Sequence, residues 1–172
     1  MNVNLYGQPI VWMVADILLV PLVWALIIQE ASHKYAIERI LNWSLLLSGI
    51  YVILKYTLLN RTADLRSGFM SLPFQLFWFA LHTNREIARS LLLNILLFTP
   101  LGAALGNLLP QRFSVRKRIL LTCVVGMILS ALVESCQYYY SLGNAEADDV
   151  ICNTLGTLIG AISLPIKESF KQ

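Results

Sequence analysis

The sequence predicts an all-α fold: a polytopic membrane helix bundle of about five transmembrane helices plus a short re-entrant or interfacial segment. Three observations predict it. Of the 172 residues, 57% are hydrophobic and 13% charged, whereas soluble domains carry about 25% charge and about 45–50% apolar residues; mean hydropathy is +0.65. Apolar runs of near 20 residues recur along the chain, the length that crosses a hydrocarbon core of roughly 30 Å. Most basic residues fall in the short intervals between those runs, as they do in the loops of membrane proteins. Residues 1–172 read as a single integral membrane domain.

The first run, about 10–29, follows a segment without basic residues and continues past Pro21 with no small-x-small cleavage signal. It reads as a retained helix rather than a signal peptide. The second run covers about 40–59. SLPFQLFWFAL (71–81) is apolar but too short to span, so it is the re-entrant or interfacial segment, with Trp78 and its flanking Phe residues suited to a headgroup boundary. The third, fourth and fifth runs cover about 87–109, 119–140 and 148–166.

Counting Lys and Arg in the loops sets the orientation. With the N-terminus outside, the cytoplasmic side collects eight basic residues, four of them in PQRFSVRKR (110–118), and the outer side collects three, Arg61, Arg66 and Arg85. The expectation is a multi-pass membrane protein with its N-terminus outside and its C-terminus in the cytoplasm.

This topology brings polar residues to one level. Asn94 lies about seven residues below the outer end of the third span, roughly 10 Å at 1.5 Å per residue. Glu134 lies at a similar depth in the fourth, with Gln137 one turn higher, and Asn153 in the fifth, below Asp148 and Asp149 at its mouth. Gly126, Ser130 and Glu134 are spaced by four and share a helix face. LGAALG (101–106) and LGTLIG (155–160) repeat a G-x-x-x-G spacing that lets helices approach closely. Pro100, Gly102, Gly106, Gly126, Gly156 and Gly160 are the expected packing positions.

Each polar residue has two readings. Asn94 and Asn153 suit interhelical hydrogen bonds worth about 0.6–2 kcal/mol, or ligand contacts. An acid at the centre of a span costs roughly 2.5–3.5 kcal/mol on insertion scales, so Glu134 needs a partner, a proton or a watery cavity; Arg61 and Arg89 are the candidate counter-ions. Asp148 and Asp149 suit a helix N-terminus or a site. Asp16 falls near the outer end of the first span, and Lys55 is positioned to snorkel from the second. His33 and His82 receive no role. The three cysteines, Cys123, Cys136 and Cys152, lie in or beside apolar runs without metal-ligand spacing and read as small hydrophobes. No metal, cofactor or nucleic-acid partner is expected.

YTLLNR (56–61), NILLFTPLG (94–102), VESCQ (133–137) and EADDVICNTLGTLIG (146–160) resemble the motifs of the VanZ-like family. These are small bacterial membrane proteins named for a glycopeptide-resistance determinant and associated with low-level teicoplanin resistance. The resemblance covers about residues 51–164, in order and spacing. Its matching residues are Arg61, Asn94, Pro100, Gly102, Glu134, Gln137, Asp148, Asp149, Asn153 and Gly156. Where many members carry an arginine shortly after the E-x-x-Q segment, this chain reads SLGNAE, with Asn144. The arginine-rich stretch 60–66 is the compensating candidate.

Three functions compete. In the first, an outward-facing intramembrane polar cavity binds a lipid or a lipid-linked cell-envelope molecule, such as a cell-wall precursor or a lipoglycopeptide, and contributes to teicoplanin resistance. Arg61, Arg66, Arg89, Asn94, Glu134, Gln137, Asp149 and Asn153 would line it. In the second, an intramembrane enzyme modifies a lipid-linked substrate with Glu134 as general acid or base and Asp148 and Asp149 positioning water or a cation. Adjacent helical side chains diverge by about 100°, which argues against both aspartates ligating one ion. The third, a small lipid or solute transporter, sits poorly with a chain lacking inverted repeats.

Overall fold

The computed structural model describes residues 4–5, 8–9, 15, 35–61, 70–82 and 85–163. Apart from Ala15, the first expected span, with Asp16, lies outside the described residues, as do Arg66 and His33. Five helices are described: α1 (Tyr35–Leu54), continued by a π-helical turn over Lys55–Leu59, α2 (Gln75–His82), α3 (Arg85–Leu108), α4 (Val115–Tyr139) and α5 (Ala147–Ala161). Two ladders of two residues per strand accompany them: β1 (Asn4–Leu5) antiparallel to β2 (Gln8–Pro9), and β3 (Met70–Ser71) parallel to β4 (Ala145–Glu146). The architecture is an all-α membrane helix bundle.

Among the described residues, three helices are long and apolar enough to cross a membrane: Glu38–Leu59, Arg85–Leu108 and Val115–Tyr139. The fifth expected span, 148–166, is described as a helix of 15 residues, Ala147–Ala161, about 22 Å long at 1.5 Å per residue.

The helices are patterned inside out. On α4, Leu120, Val124, Ile128 and Leu132 are exposed, while Thr122, Gly126, Ser130, Glu134 and Gln137 are buried. The apolar face suits lipid tails and the small, polar face turns to protein, because polar groups in hydrocarbon require partners. On α1, Trp43, Leu47 and Tyr51 face outward, while Leu41, Leu45, Val52 and Tyr56 pack inward. The core gathers Leu45, Ile53 and Tyr56 of the first helix around Leu97, Phe98 and Leu101 of α3.

Because lipid tails are as apolar as Leu, close packing and hydrogen bonds rather than the hydrophobic effect hold such helices together. The largest helix–helix contact joins α3 to α5. It is a backbone-to-backbone approach. A Cβ on Gly102 would collide with the carbonyl of Thr157, one on Gly156 with that of Ile95, and one on Gly160 with that of Thr99. Gly126 makes room on α4 for the Thr157 side chain. Pro100 lies inside α3, where it removes the donor to the Leu96 carbonyl.

At the end of the bundle where α3 finishes, Ser114 caps α4 by accepting from the Lys117 amide at 3.4 Å. The buried Arg118 turns back and donates from Nε and Nη2 to the Gly106 carbonyl, at 3.2 and 2.8 Å. A cation thereby sits on the negative end of the α3 dipole.

The short α2 is the part of the chain expected to be re-entrant or interfacial. Its entry turns through Phe74, which has φ 65°, and Gln75 Oε1 accepts the Leu72 amide at 3.3 Å in the manner of a capping box. Leu72, Phe74 and Trp78 project outward. The β3–β4 ladder, pairing Met70 with Ala145 and Ser71 with Glu146, ties this segment to the start of α5.

Candidate functional site

The site begins with the π-helical turn that ends the first transmembrane helix. There the Asn60 amide bonds the carbonyl of Lys55 at 2.9 Å, five residues back. A π turn shifts the ladder by one residue and leaves a carbonyl available to another group. Gln137 uses it, donating from Nε2 to the Thr57 carbonyl at 3.0 Å. The same turn delivers Arg61, whose Nη1 donates to the Leu142 carbonyl at 3.5 Å. Gly143, the next residue, leaves room for the Arg61 guanidinium, whose Nη1 would have to shift to accommodate a Cβ there.

Three carboxylates lie within electrostatic reach of Arg61: Glu134, Glu146 and Asp149. Glu134, buried on α4, accepts the Glu146 amide at 2.9 Å. Burial raises the carboxyl pKa of Glu146 above its ordinary value; Arg61 opposes the shift and Asp148 adds to it. Asn94 of α3 stands beside Asp149, although its Nδ2 lacks a hydrogen bond of good geometry. Asp149 is buried and its Oδ1 accepts no hydrogen bond.

Asp148 has a different position. Its Oδ1 accepts the Phe74 amide at 2.5 Å, and its Oδ2 accepts those of Leu76 at 2.6 Å and Phe77 at 3.4 Å. One carboxylate thus satisfies the open amides at the start of α2, where a helix dipole favours negative charge. The two neighbouring aspartates diverge as helical geometry requires: Asp148 reaches the start of α2 and Asp149 turns to the polar cluster.

Asn153 donates from Nδ2 to Ser130 Oγ at 2.8 Å, joining α5 to α4 below the cluster. Arg89 lies on the exposed side of α3, paired with Glu86 at 2.8 Å. Among the described residues, no group of His, Cys, Asp and Glu could hold a metal ion.

Two cavities flank Glu146. A polar cleft of about 400 Å³ is lined by Arg61, Leu76, Glu86, Asn144, Glu146 and Asp149 among others. An apolar groove of about 900 Å³ opens between the stretch 71–73, just before α2, and α4. Leu72, Pro73, Leu132 and Tyr138–Tyr140 form its walls, and Glu134 and Glu146 lie along it. Glu146 therefore belongs to both.

Sequence reasoning did not single out Gly143, Glu146 or the Thr57 carbonyl as part of this arrangement. A glycine in the S-L-G-N turn was the available signal for the first. Nothing in the sequence marks a carbonyl released by a π turn.

Neither curated proteins nor solved structures provide a match. The sequence model of the VanZ/LLP1 family matches residues 17–168. That range takes in every described helix, the re-entrant segment and the Arg61–Glu134–Glu146–Asp149 cluster, and the chain accordingly belongs to the VanZ/LLP1 family as an integral membrane protein.

Proposed function

We propose that this protein binds a lipid or a lipid-linked cell-envelope molecule in an outward-facing intramembrane cavity, and that it contributes in this way to glycopeptide resistance of the teicoplanin type. The supporting observation is the shared wall. An apolar groove of about 900 Å³ and a polar cleft of about 400 Å³ meet at Glu146. An amphiphile needs that pairing, with apolar walls for a tail and a few placed polar groups for a head. The exposed Leu72, Leu132 and Tyr139 open the groove on the side that faces lipid, so a tail can enter laterally. The excess of basic residues in 30–39, 110–118 and the C-terminal tail supports an N-out, C-in orientation with this end of the bundle outside.

Teicoplanin susceptibility in a sensitive Gram-positive host tests the reading, with wild type, Glu134→Gln and empty vector compared at equal membrane levels. Protection by wild type that disappears in Glu134→Gln is the expected result. Protection that survives the substitution would remove Glu134 from the function. No protection by wild type would detach this protein from resistance and leave lipid binding to be measured directly.

A carboxylate-dependent enzyme acting on a lipid-linked substrate is the second reading, supported by the placement of Glu134 beside the groove. Asp148 is committed to the α2 amides, which leaves Glu134, Glu146 and Asp149 for proton transfer. Turnover of a lipid-linked substrate by the purified protein, lost in Glu134→Gln with the fold intact, would favour it over binding alone.

A further inference from the structure

The end of the bundle opposite Glu134 carries an unbalanced positive charge. Arg112, Arg116 and Lys117 are exposed there, in the turn between α3 and α4 and in the first turn of α4. From Ile87 to Val133 the chain has no acidic residue, and among the described residues no carboxylate pairs with any of the three. Glu38 of α1 stands at the same end, but it lines a cleft of about 460 Å³ together with Arg39, whose charge offsets its own. The three cations are nevertheless gathered. Lys117 Nζ lies 4.3 Å and Arg112 Cζ 5.4 Å from the Phe113 ring centroid, both within cation–π range. The turn that presents them is fixed, because Arg118 is held on the Gly106 carbonyl. Like charges collected at the positive end of a helix dipole are best neutralised by an anion.

The patch is continuous with the lipid-facing side of α4. Arg116, Leu120, Val124, Ile128 and Leu132 recur every fourth residue and form one ridge that winds along the helix, and all four apolar members are exposed. Leu120 to Leu132 cover about 18 Å at 1.5 Å per residue, enough to line one leaflet of a hydrocarbon core of roughly 30 Å. Arg116 lies one turn beyond Leu120, about 6 Å along the axis, and helical side chains lean towards the N-terminus, here away from the hydrocarbon. We infer that this face binds an anionic phospholipid, with an acyl chain along Leu120–Leu132 and the phosphate held by Arg116 and Lys117, Arg112 standing beside them. The planar guanidinium matches the oxygens of a phosphate. A zwitterionic head group brings its own cation into the patch and is disfavoured. The site stands apart from the groove beside Glu146 and from the function proposed for it.

The test is competitive lipid retention by the purified full chain in detergent, read by native mass spectrometry. Phosphatidylglycerol and phosphatidylcholine with identical acyl chains are offered together. Phosphatidylglycerol is expected to be retained about tenfold over phosphatidylcholine, the ratio for one to two cations acting on one anionic head group. In the triple variant Arg112→Gln, Arg116→Gln, Lys117→Gln that preference is expected to vanish, while retention of phosphatidylcholine and the melting temperature stay as in wild type. If the triple variant does not fold, Arg116→Gln alone is the second variant, with the preference cut to about threefold.

Equal retention of the two lipids by wild type, or a preference untouched by the variants, would overturn the assignment. A preference lost in Arg89→Gln but kept in the triple variant would move the anionic lipid to the other end of the bundle and overturn it as well. Inorganic phosphate added at constant ionic strength tests for a soluble anion. It is expected to leave phosphatidylglycerol bound, because the chain along Leu120–Leu132 adds to the hold on the head group. Displacement by inorganic phosphate would make the patch a soluble-anion site and remove the lipid from it.

Discussion

Gln137 and Thr57, eighty residues apart, are joined by a hydrogen bond of 3.0 Å from the Gln137 side chain to the Thr57 main-chain carbonyl. Both residues are buried, and the π-helical turn presents the carbonyl. Gln137→Leu keeps the volume but leaves a buried carbonyl unpaired, at about 1–3 kcal/mol. A lower melting temperature in detergent is expected, with restoration in Gln137→Asn only if the shorter side chain still reaches. An unchanged melting temperature would mean that the bond contributes nothing to stability.

The α3–α5 contact separates two kinds of glycine. Gly156→Ala places a Cβ against the Ile95 carbonyl, whereas Gly49→Ala meets Leu101 N at an ordinary 3.6 Å. Gly156→Ala is expected to destabilise by about 1–3 kcal/mol or more through overpacking. Gly49→Ala is expected to be neutral, or to stabilise by up to about 1 kcal/mol through helix propensity. Thermal melts of the two variants side by side check the contrast, and similar behaviour would contradict the close backbone approach.

Asp148 holds the start of α2 through the amides of Phe74, Leu76 and Phe77. Asp148→Ala is expected to free those amides at about 1–2 kcal/mol, the usual range for a lost helix cap. Hydrogen exchange should rise across 70–82 while α1 and α4 remain protected. Asp148→Asn, which keeps an acceptor, should recover part of the protection. Exchange unchanged in Asp148→Ala would mean that the β3–β4 ladder suffices to hold the segment.

Glu146 gives stability a pH dependence. Its pKa is raised from the ordinary 4.5, chiefly by burial, so the folded state binds the proton more tightly than the unfolded chain. The contribution to stability is then complete below about pH 4.5 and is lost as pH rises through the raised folded value. In Glu146→Gln, this part of the pH dependence should disappear. Melting curves between pH 4 and 8 test it; a wild-type profile reproduced by the variant would assign the dependence to other groups.

The bundle was largely legible in the sequence because apolar run length and loop charge are determined by the bilayer itself. At 71–81 eleven mostly apolar residues are too few to cross, and a short helix, Gln75–His82, stands there. The face containing Gly126, Ser130, Glu134 and Gln137 could be read from spacing alone. Asp148 and Asp149 could not be separated in that way. Periodicity says that they diverge but not what each meets, and the partners of Asp148 lie more than seventy residues away. Arg118 was counted among the loop cations, yet its guanidinium is buried on the Gly106 carbonyl. A basic residue in a loop count carries no sign of whether its charge faces water or closes a helix. The pairing of Arg89 with Glu86 was likewise hidden, because Arg89 could be assigned to a depth but not to a side of its helix.

The enclosure of α5 has a consequence for biogenesis. Its 15 residues bury Asp148 and Asp149 in the first turn and Asn153 further in, and such polar groups are costly in hydrocarbon unless they find partners. Such a segment has little tendency to leave the insertion machinery for lipid unaided. Its Gly156 and Gly160 pack against the main chain of α3, and the Asn153 side chain donates to Ser130 of α4. The slot must therefore exist before its occupant, and both helices that build it precede α5 in the chain. Insertion of α5 is then expected to depend on the α3 and α4 faces that receive it, and a defect in either face should be seen first as a misrouted α5.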